Sequence, residues 1–130
     1  MKKTICVLMA AFMLMLLAAC GSAKLPDGVT EDDVTTAAKN TVDYLNAKDY
    51  DSLVATMDDE MQEALPSDKL AEAWEPFYET LGEFDSITKT TVGAQKGYAV
   101  AVVSAKYKNK TATLTLSYDS EMKLAGMFFK

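Results

Sequence analysis

Residues 98–118 read YAVAVVSAKYKNKTATLTLSY, and this stretch decides the fold. Two runs rich in valine, threonine and alanine flank the polar pair Lys108 and Asn109, a pattern typical of a β-hairpin. With these two residues as the loop, the predicted pairs are Ala105 with Ala112, Val103 with Leu114 and Ala101 with Leu116 on one face, and Val102 with Thr115 and Ser104 with Thr113 on the other. A slip of one residue would turn Leu114 and Leu116 towards solvent, so this register is favoured.

Two further β segments extend the hairpin into a sheet. The four predicted strands are Phe84–Val92, Tyr98–Lys108, Thr111–Tyr118 and Lys123–Phe129. Because one face of the hairpin is apolar and the other is mixed, the sheet is expected to be antiparallel and covered on one side only.

The segment before the sheet supplies that cover as about three helices. Thr30 is the predicted N-cap of the first helix, which continues to about Ala47. A second helix is predicted from Tyr50, and Ser67 can cap a third that stops at Gly82. Apolar residues recur at helical spacing at Val34, Ala38, Val42 and Leu45, then at Leu53, Val54, Met57 and Met61, then at Leu70, Trp74, Phe77, Tyr78 and Leu81. The predicted fold class is therefore α+β, with the helices packed on one face of a four-stranded antiparallel sheet.

The N-terminal residues have the pattern of an export signal. Lys2 and Lys3 precede an apolar run that is too short for a comfortable membrane span but suits a secretory signal. The run ends in LAACGS, residues 17–22, which resembles the lipobox of bacterial lipoproteins. The resemblance implies cleavage before Cys20, acylation of its sulfur and a location on the extracytoplasmic face of the cell membrane. The predicted divisions are residues 1–19 as signal peptide, 20–29 as lipidated cysteine and tether, and 30–130 as one domain.

Composition excludes several kinds of chemistry. The chain has 13 basic residues, all of them lysine, and no histidine. A histidine base, a His/Cys metal site and a catalytic cysteine are thereby excluded from the mature domain, since Cys6 leaves with the signal and Cys20 carries lipid. No catalytic residue, metal or cofactor is predicted. Nucleic-acid binding is not expected either, because the net charge of −6 becomes −8 once Lys2 and Lys3 are removed.

The charges are unevenly distributed along the chain. From Asp27 to Asp85 there are 17 acidic residues and three lysines, whereas from Ser86 onward there are two acidic residues and seven lysines. A solvated helical surface and an electrostatic docking face both fit this pattern.

Three short segments resemble a known family. The sequence YLNAKDYDSL, residues 44–53, is similar to the first-helix hinge of nuclear-transport-factor-2-like domains. The segments LGEFDSI (81–87) and KLAGMFF (123–129) resemble an uncharacterised bacterial family of that cystatin-like superfamily, whose members occur as stand-alone lipoproteins or ahead of α/β-hydrolase domains. The resemblance covers about residues 30–130. It implies a cone-shaped domain with a curved sheet around the helices, and no assigned activity.

The resemblance also implies where a pocket would lie. Such cones often have a pocket at their wide end, which directs attention to Tyr44, Trp74, Phe77 and Tyr78. Each of these residues also fits an ordinary core position at helical spacing. Small residues at Ala99, Ala101 and Ala105 leave room beneath the helices, either for a pocket or for close packing.

Three functions remain open. The leading interpretation is a non-catalytic module that binds a small molecule, a peptide or an envelope protein. The alternative is a protein-interaction domain, with a homodimer as one version of it, that uses an exposed sheet face with Val100, Val102, Thr111, Thr113 and Thr115. The third is a metal-independent isomerase or lyase using Asp43 and a tyrosine such as Tyr44, although adjacent helical residues point about 100° apart.

Overall fold

A computed structural model of the protein describes residues 24–130. The helices are α1 (Glu31–Asn46), α2 (Tyr50–Ala55), α3 (Asp59–Ala64) and α4 (Ser67–Leu81), and the strands are β1 (Phe84–Gln95), β2 (Tyr98–Tyr107), β3 (Thr111–Tyr118) and β4 (Leu124–Phe129). The predicted signal peptide, Cys20 and the start of the tether lie outside the described residues, so these expectations stay predictions.

The four strands form one antiparallel sheet in the order β1-β2-β3-β4, and the sheet is not closed. Every predicted pair between β2 and β3 is confirmed, including Val103 with Leu114. The alternation of buried and exposed residues along both strands shows why: a shifted register would bring the leucines out of the core. Strand β1 continues to Gln95, beyond the predicted end, and two bulges interrupt its pairing near residues 85 and 88.

The start of α1 is fixed by a capping box. The Thr30 hydroxyl accepts a hydrogen bond from the Asp33 amide at 3.1 Å, and the Asp33 carboxylate accepts one from the Thr30 amide at 3.1 Å. Two of the amides that a helix leaves unpaired at its beginning are thereby satisfied. The predicted N-cap at Thr30 is confirmed.

The predicted second helix is two helices, so there are four in residues 24–130 where about three were expected. Helix α2 ends at Ala55 because the next residues pair with the sheet. The Leu124 amide donates to the Thr56 carbonyl at 2.8 Å, and the Asp58 amide donates to the Leu124 carbonyl at 3.0 Å. Asp58 then caps α3 by accepting from the Met61 amide at 2.8 Å. A tertiary contact has overridden the helical spacing of the apolar residues.

The N-cap of helix α4 lies one residue earlier than predicted. Pro66 occupies the N-cap position and gives no side-chain cap, while Ser67 is the first helical residue. The Ser67 hydroxyl donates to the Asp51 carboxylate of α2. Ser67 therefore links two helices, and the expectation that it caps α4 is wrong.

The core lies between the four helices and the inner face of the sheet. Trp74 is its largest fully buried side chain, and Thr41 is the buried polar residue in the described part of the chain. Four alanines, at positions 99, 101, 105 and 112, lie fully buried on the inner face of β2 and β3. Their small side chains let the helices approach the sheet closely.

Candidate functional site

Three of the four predicted pocket residues meet in one group of aromatic rings. Trp74 is fully buried on α4, and its ring centroid lies 5.7 Å from that of Phe77 and 5.9 Å from that of Tyr78. Tyr44 lies on α1, where it is half-buried and packs against the core. The helical spacing of Trp74, Phe77 and Tyr78 thus predicted that their rings lie together, and the sheet adds further aromatic rings to the group.

Strand residues complete this group. Phe129 of β4 meets Trp74 edge-on, with the ring centroids 5.2 Å apart. Tyr107 of β2 contacts Tyr78 at 6.1 Å and Phe84 at 5.2 Å between ring centroids. We call these six rings the aromatic cluster: Trp74, Phe77, Tyr78, Phe84, Tyr107 and Phe129. Edge-to-face pairs of this kind stabilise by about 0.5–1.5 kcal/mol each beyond the burial of their area.

A buried hydrogen bond joins the aromatic cluster to the end of α1. The Tyr107 hydroxyl donates to the Asn46 side-chain oxygen. Burial raises the pKa of Tyr107 to about 12. Tyr107 is therefore a neutral donor at physiological pH, and the amide nitrogen of Asn46 is left facing the interior.

Three buried polar atoms near this cluster have no hydrogen-bond partner within residues 24–130. They are the Asn46 amide nitrogen, the Tyr50 hydroxyl and the Trp74 indole nitrogen. An unsatisfied buried donor or acceptor costs about 1–3 kcal/mol, so native proteins contain few of them. Two of the three atoms are pure donors, and the tyrosine hydroxyl can donate or accept.

A charged pair lies at the surface beside Tyr78 of the aromatic cluster. The Lys48 ammonium lies 3.6 Å from the Glu75 carboxylate and 5.6 Å from the centre of the Tyr78 ring. Burial raises the pKa of Tyr50, and the negative charge of Glu75 raises it further. We call the three residues with an unpaired buried atom, Asn46, Tyr50 and Trp74, the polar site.

Sequence reasoning missed Asn46, Tyr50 and Tyr107. Asn46 and Tyr50 fall within the segment YLNAKDY that resembles a family hinge, but their side chains gain significance only from the strand and helix they face. Tyr107 could have been assigned to the inner face from the parity of β2, since it follows Val103 and Ala105 at every second position.

Asp43 has surroundings different from those of Tyr44. Asp43 is exposed on α1 and lines a groove of about 350 Å³ between α1 and β1. The groove is otherwise lined by Thr35, Lys39, Phe84, Ser86, Ile87 and Thr90. Tyr44 packs instead against the core. The structure does not bring these two side chains into one cavity.

The sheet face opposite the helices, here called the outer face, is exposed. The five residues predicted for it, Val100, Val102, Thr111, Thr113 and Thr115, all lie there. One row of paired residues crosses the four strands through Gly93, Val100, Ser117 and Gly126. Two depressions of about 280 and 170 Å³ lie along this row and share Gln95 and Val100. Because Gly93, Ser117 and Gly126 have small side chains or none, the middle of the outer face is a shallow depression.

Residues 24–130 contain neither a candidate metal site nor a membrane-spanning helix. No group of three or more acidic, histidine or cysteine side chains in this range is arranged to hold a metal ion. No helix in the same range combines the length and the apolar character needed to cross a bilayer.

Comparison with known proteins places the chain in a family. No curated protein matches it. A solved structure is similar, the NMR structure of a protein from Ruminococcus gnavus ATCC 29149, with 23% sequence identity and a TM-score of 0.66 over 81% of this chain and 95% of that one. At this identity the likeness concerns the fold alone. The sequence profile of a protein family of unknown function, DUF3887, matches residues 38–127. The chain belongs to the DUF3887 family.

Proposed function

We propose that the protein is an extracytoplasmic lipoprotein, held on the cell membrane by acylated Cys20, whose domain is a non-catalytic binding module for a small molecule or a peptide. The N-terminal charge, the apolar run and the sequence LAACGS support the anchoring. Helices on one face of an open antiparallel sheet support a nuclear-transport-factor-2-like cone for the domain.

The observation that carries the binding role is the polar site. Its three unpaired atoms lie on α1, α2 and α4; Trp74 belongs to the aromatic cluster, and Asn46 is hydrogen-bonded to its member Tyr107. An unpaired buried polar atom costs about 1–3 kcal/mol, so partners for all three would stabilise the domain. A ligand that accepts hydrogen bonds would satisfy these atoms and would be held between apolar rings.

The ligand would approach beside the pair of Lys48 and Glu75. These two side chains are about half exposed and lie at the surface of the domain. An ion pair this exposed contributes little to stability, so it can open without a large penalty. We therefore assign Asn46, Tyr50 and Trp74 to binding, and Lys48 and Glu75 to the entrance.

Native mass spectrometry tests this role. The full chain is purified gently from cells of its own kind, and its mass is compared with that of a Tyr50→Phe variant prepared identically. We expect a reproducible added mass on the monomer that decreases in the variant, because the variant lacks the tyrosine hydroxyl. Tyr98→Phe is the matched control, since this tyrosine is exposed on the outer face. A wild-type monomer without added mass would overturn the binding role.

The same spectra test the anchor. Acylation adds a mass of lipid to a peptide that begins at Cys20, and a Cys20→Ala variant cannot carry it. A wild-type chain that keeps residues 1–19 and carries no lipid would contradict the proposed anchoring.

A further inference from the structure

Three lysines lie on the outer face of the sheet. Lys89 of β1 pairs with Ser104, Ser104 pairs with Thr113, and Thr113 exchanges backbone hydrogen bonds of 2.8 and 3.0 Å with Lys130. Lys89 and Lys130 therefore occupy opposite ends of one row across the sheet. Lys106, on β2 in the adjacent row, is also exposed. Together these lysines form a basic band across the outer face.

Large apolar side chains are exposed on the same face of the sheet. Phe128 is 63% exposed, Tyr98 is 44% exposed and Val102 is 38% exposed. Phe128 and Val102 both pair with Thr115, so the three form one row next to that of Lys89 and Lys130. Lysines next to exposed aromatic side chains are the composition by which proteins associate with the surface of a bilayer.

The acidic residues lie mainly on the other side of the domain. Rows 89–130, 91–128 and 93–126 of the outer face contain no acidic side chain, and the Asp85 carboxylate lies 3.9 Å from the Lys106 ammonium of the basic band. The acids of α1 to α4 lie behind the sheet, roughly 10 Å or more away. This exceeds the Debye length of about 8 Å at physiological ionic strength, so their repulsion of an anionic surface is screened.

We infer that the outer face rests on an anionic lipid bilayer, with the three lysines near the phosphates and Phe128 and Tyr98 at the level of the headgroups. The inference rests on the proposed anchoring at Cys20. Leu25 packs against the core, and the five residues from Cys20 to Leu25 span at most about 18 Å. So short a tether keeps the domain beside the bilayer. A second copy of the chain fits the outer face less well, because it would bring a second basic band against the first.

Lysine reactivity in reconstituted vesicles tests the inference. The full chain, expressed with its N-terminal segment, is incorporated into vesicles of phosphatidylcholine alone or mixed with phosphatidylglycerol, and is acetylated with a water-soluble reagent. We expect Lys89, Lys106 and Lys130 to react several-fold more slowly on the mixed vesicles, and to recover at high salt. Lys39 and Lys69, which lie on the helical side, serve as internal controls with unchanged rates.

Variants separate the contributions of charge and apolar side chains. Replacing all three lysines of the basic band by glutamine is expected to remove the difference between the two kinds of vesicle. Lys39→Gln with Lys69→Gln is the control of matched chemistry and should leave the difference intact. In Phe128→Ser, we expect weaker protection of the three lysines on mixed vesicles. All six replaced positions are exposed, so circular dichroism should show an unchanged fold.

The outcomes also distinguish this inference from the proposed anchoring. A chain that does not stay with either kind of vesicle would overturn the anchoring and this inference with it. A chain retained by both kinds, with equal reactivity of the three lysines, would overturn only the docking of the outer face. Protection that rises with protein concentration on both kinds of vesicle would overturn it in favour of a second copy of the chain.

Discussion

The hydroxyl groups of Thr41 on α1 and Tyr118 on β3 lie 3.1 Å apart in the core. Thr41 donates its only hydroxyl proton to the Ala37 carbonyl at 3.0 Å. Tyr118 must therefore be the donor in the contact between the two side chains. This bond is a buried polar link between the helical layer and the sheet.

The direction of this bond predicts unequal effects of mutation. Tyr118→Phe leaves the Thr41 oxygen still bonded to Ala37, so we expect a loss of about 0.5–1.5 kcal/mol in the free energy of unfolding. Thr41→Val leaves the tyrosine hydroxyl buried without an acceptor, and we expect a loss of about 1–3 kcal/mol. Urea denaturation of both single variants and the double variant measures the difference. A double variant less stable than Thr41→Val would contradict this assignment of donor and acceptor.

Stability should decrease in alkaline solution. Burial raises the pKa values of Tyr107 and Tyr118 from 10.0 to about 12. Between these values the unfolded chain has lost protons that the folded chain keeps, so folding weakens as pH rises from about 10 to 12. The contribution of each tyrosine is fully present below pH 10 and is on the order of 2 kcal/mol. Denaturation at pH 8, 10 and 11 should show a smaller decrease for Tyr118→Phe than for the wild type. Equal slopes would contradict the prediction.

Gly82→Ala should destabilise the domain. Gly82 follows α4 with φ +82° and ψ −161°, a conformation essentially confined to glycine. An added Cβ would also lie 2.9 Å from the Asn109 side-chain nitrogen. We expect a loss of about 1–3 kcal/mol, measurable by thermal denaturation. Adding Asn109→Ala removes the clash but not the backbone strain, so it should restore only part of the stability. Full recovery would show that backbone conformation is not the cause.

Gly93→Thr should have the opposite effect. Gly93 has an ordinary strand conformation on the outer face, and an added Cβ would meet no atom within 4 Å. Threonine favours strands and glycine does not, so we expect a gain of about 0.5–1 kcal/mol in the free energy of unfolding. Thermal denaturation alongside Gly82→Ala provides the comparison. If Gly93→Thr were less stable than the wild type, the shallow depression in the outer face would contribute to stability.

Local patterns predicted most of the fold. The N-cap at Thr30 and the pairing of Val103 with Leu114 depend on residues a few positions apart or on strict alternation, and both are confirmed. The break between α2 and α3 could not be predicted in this way. It depends on the hydrogen bonds that Leu124 donates to Thr56 and accepts from Asp58, and Leu124 lies more than sixty residues further along the chain.

The candidate site was predicted in part for the same reason. Helical spacing grouped Trp74, Phe77 and Tyr78 correctly, because all three lie on α4. The polar site requires the distance between helix α1 and strand β2, at which Asn46 meets Tyr107. The residue pattern within α1 or within β2 cannot predict the distance between these two elements. The sequence therefore predicted the aromatic residues of α4 but not Asn46 and Tyr50 of the polar site.

The pairing of Leu124 with the segment after α2 has a consequence for the order of events in the cell. Strand β4 is the last to leave the ribosome, yet Leu124 is fully buried and Phe129 packs against Trp74. The chain cannot complete its core until these last residues are available. If the chain is exported as proposed, with its N-terminal segment crossing first, its core would stay incomplete until β4 has crossed, and the proposed acylation of Cys20 would precede folding of the domain.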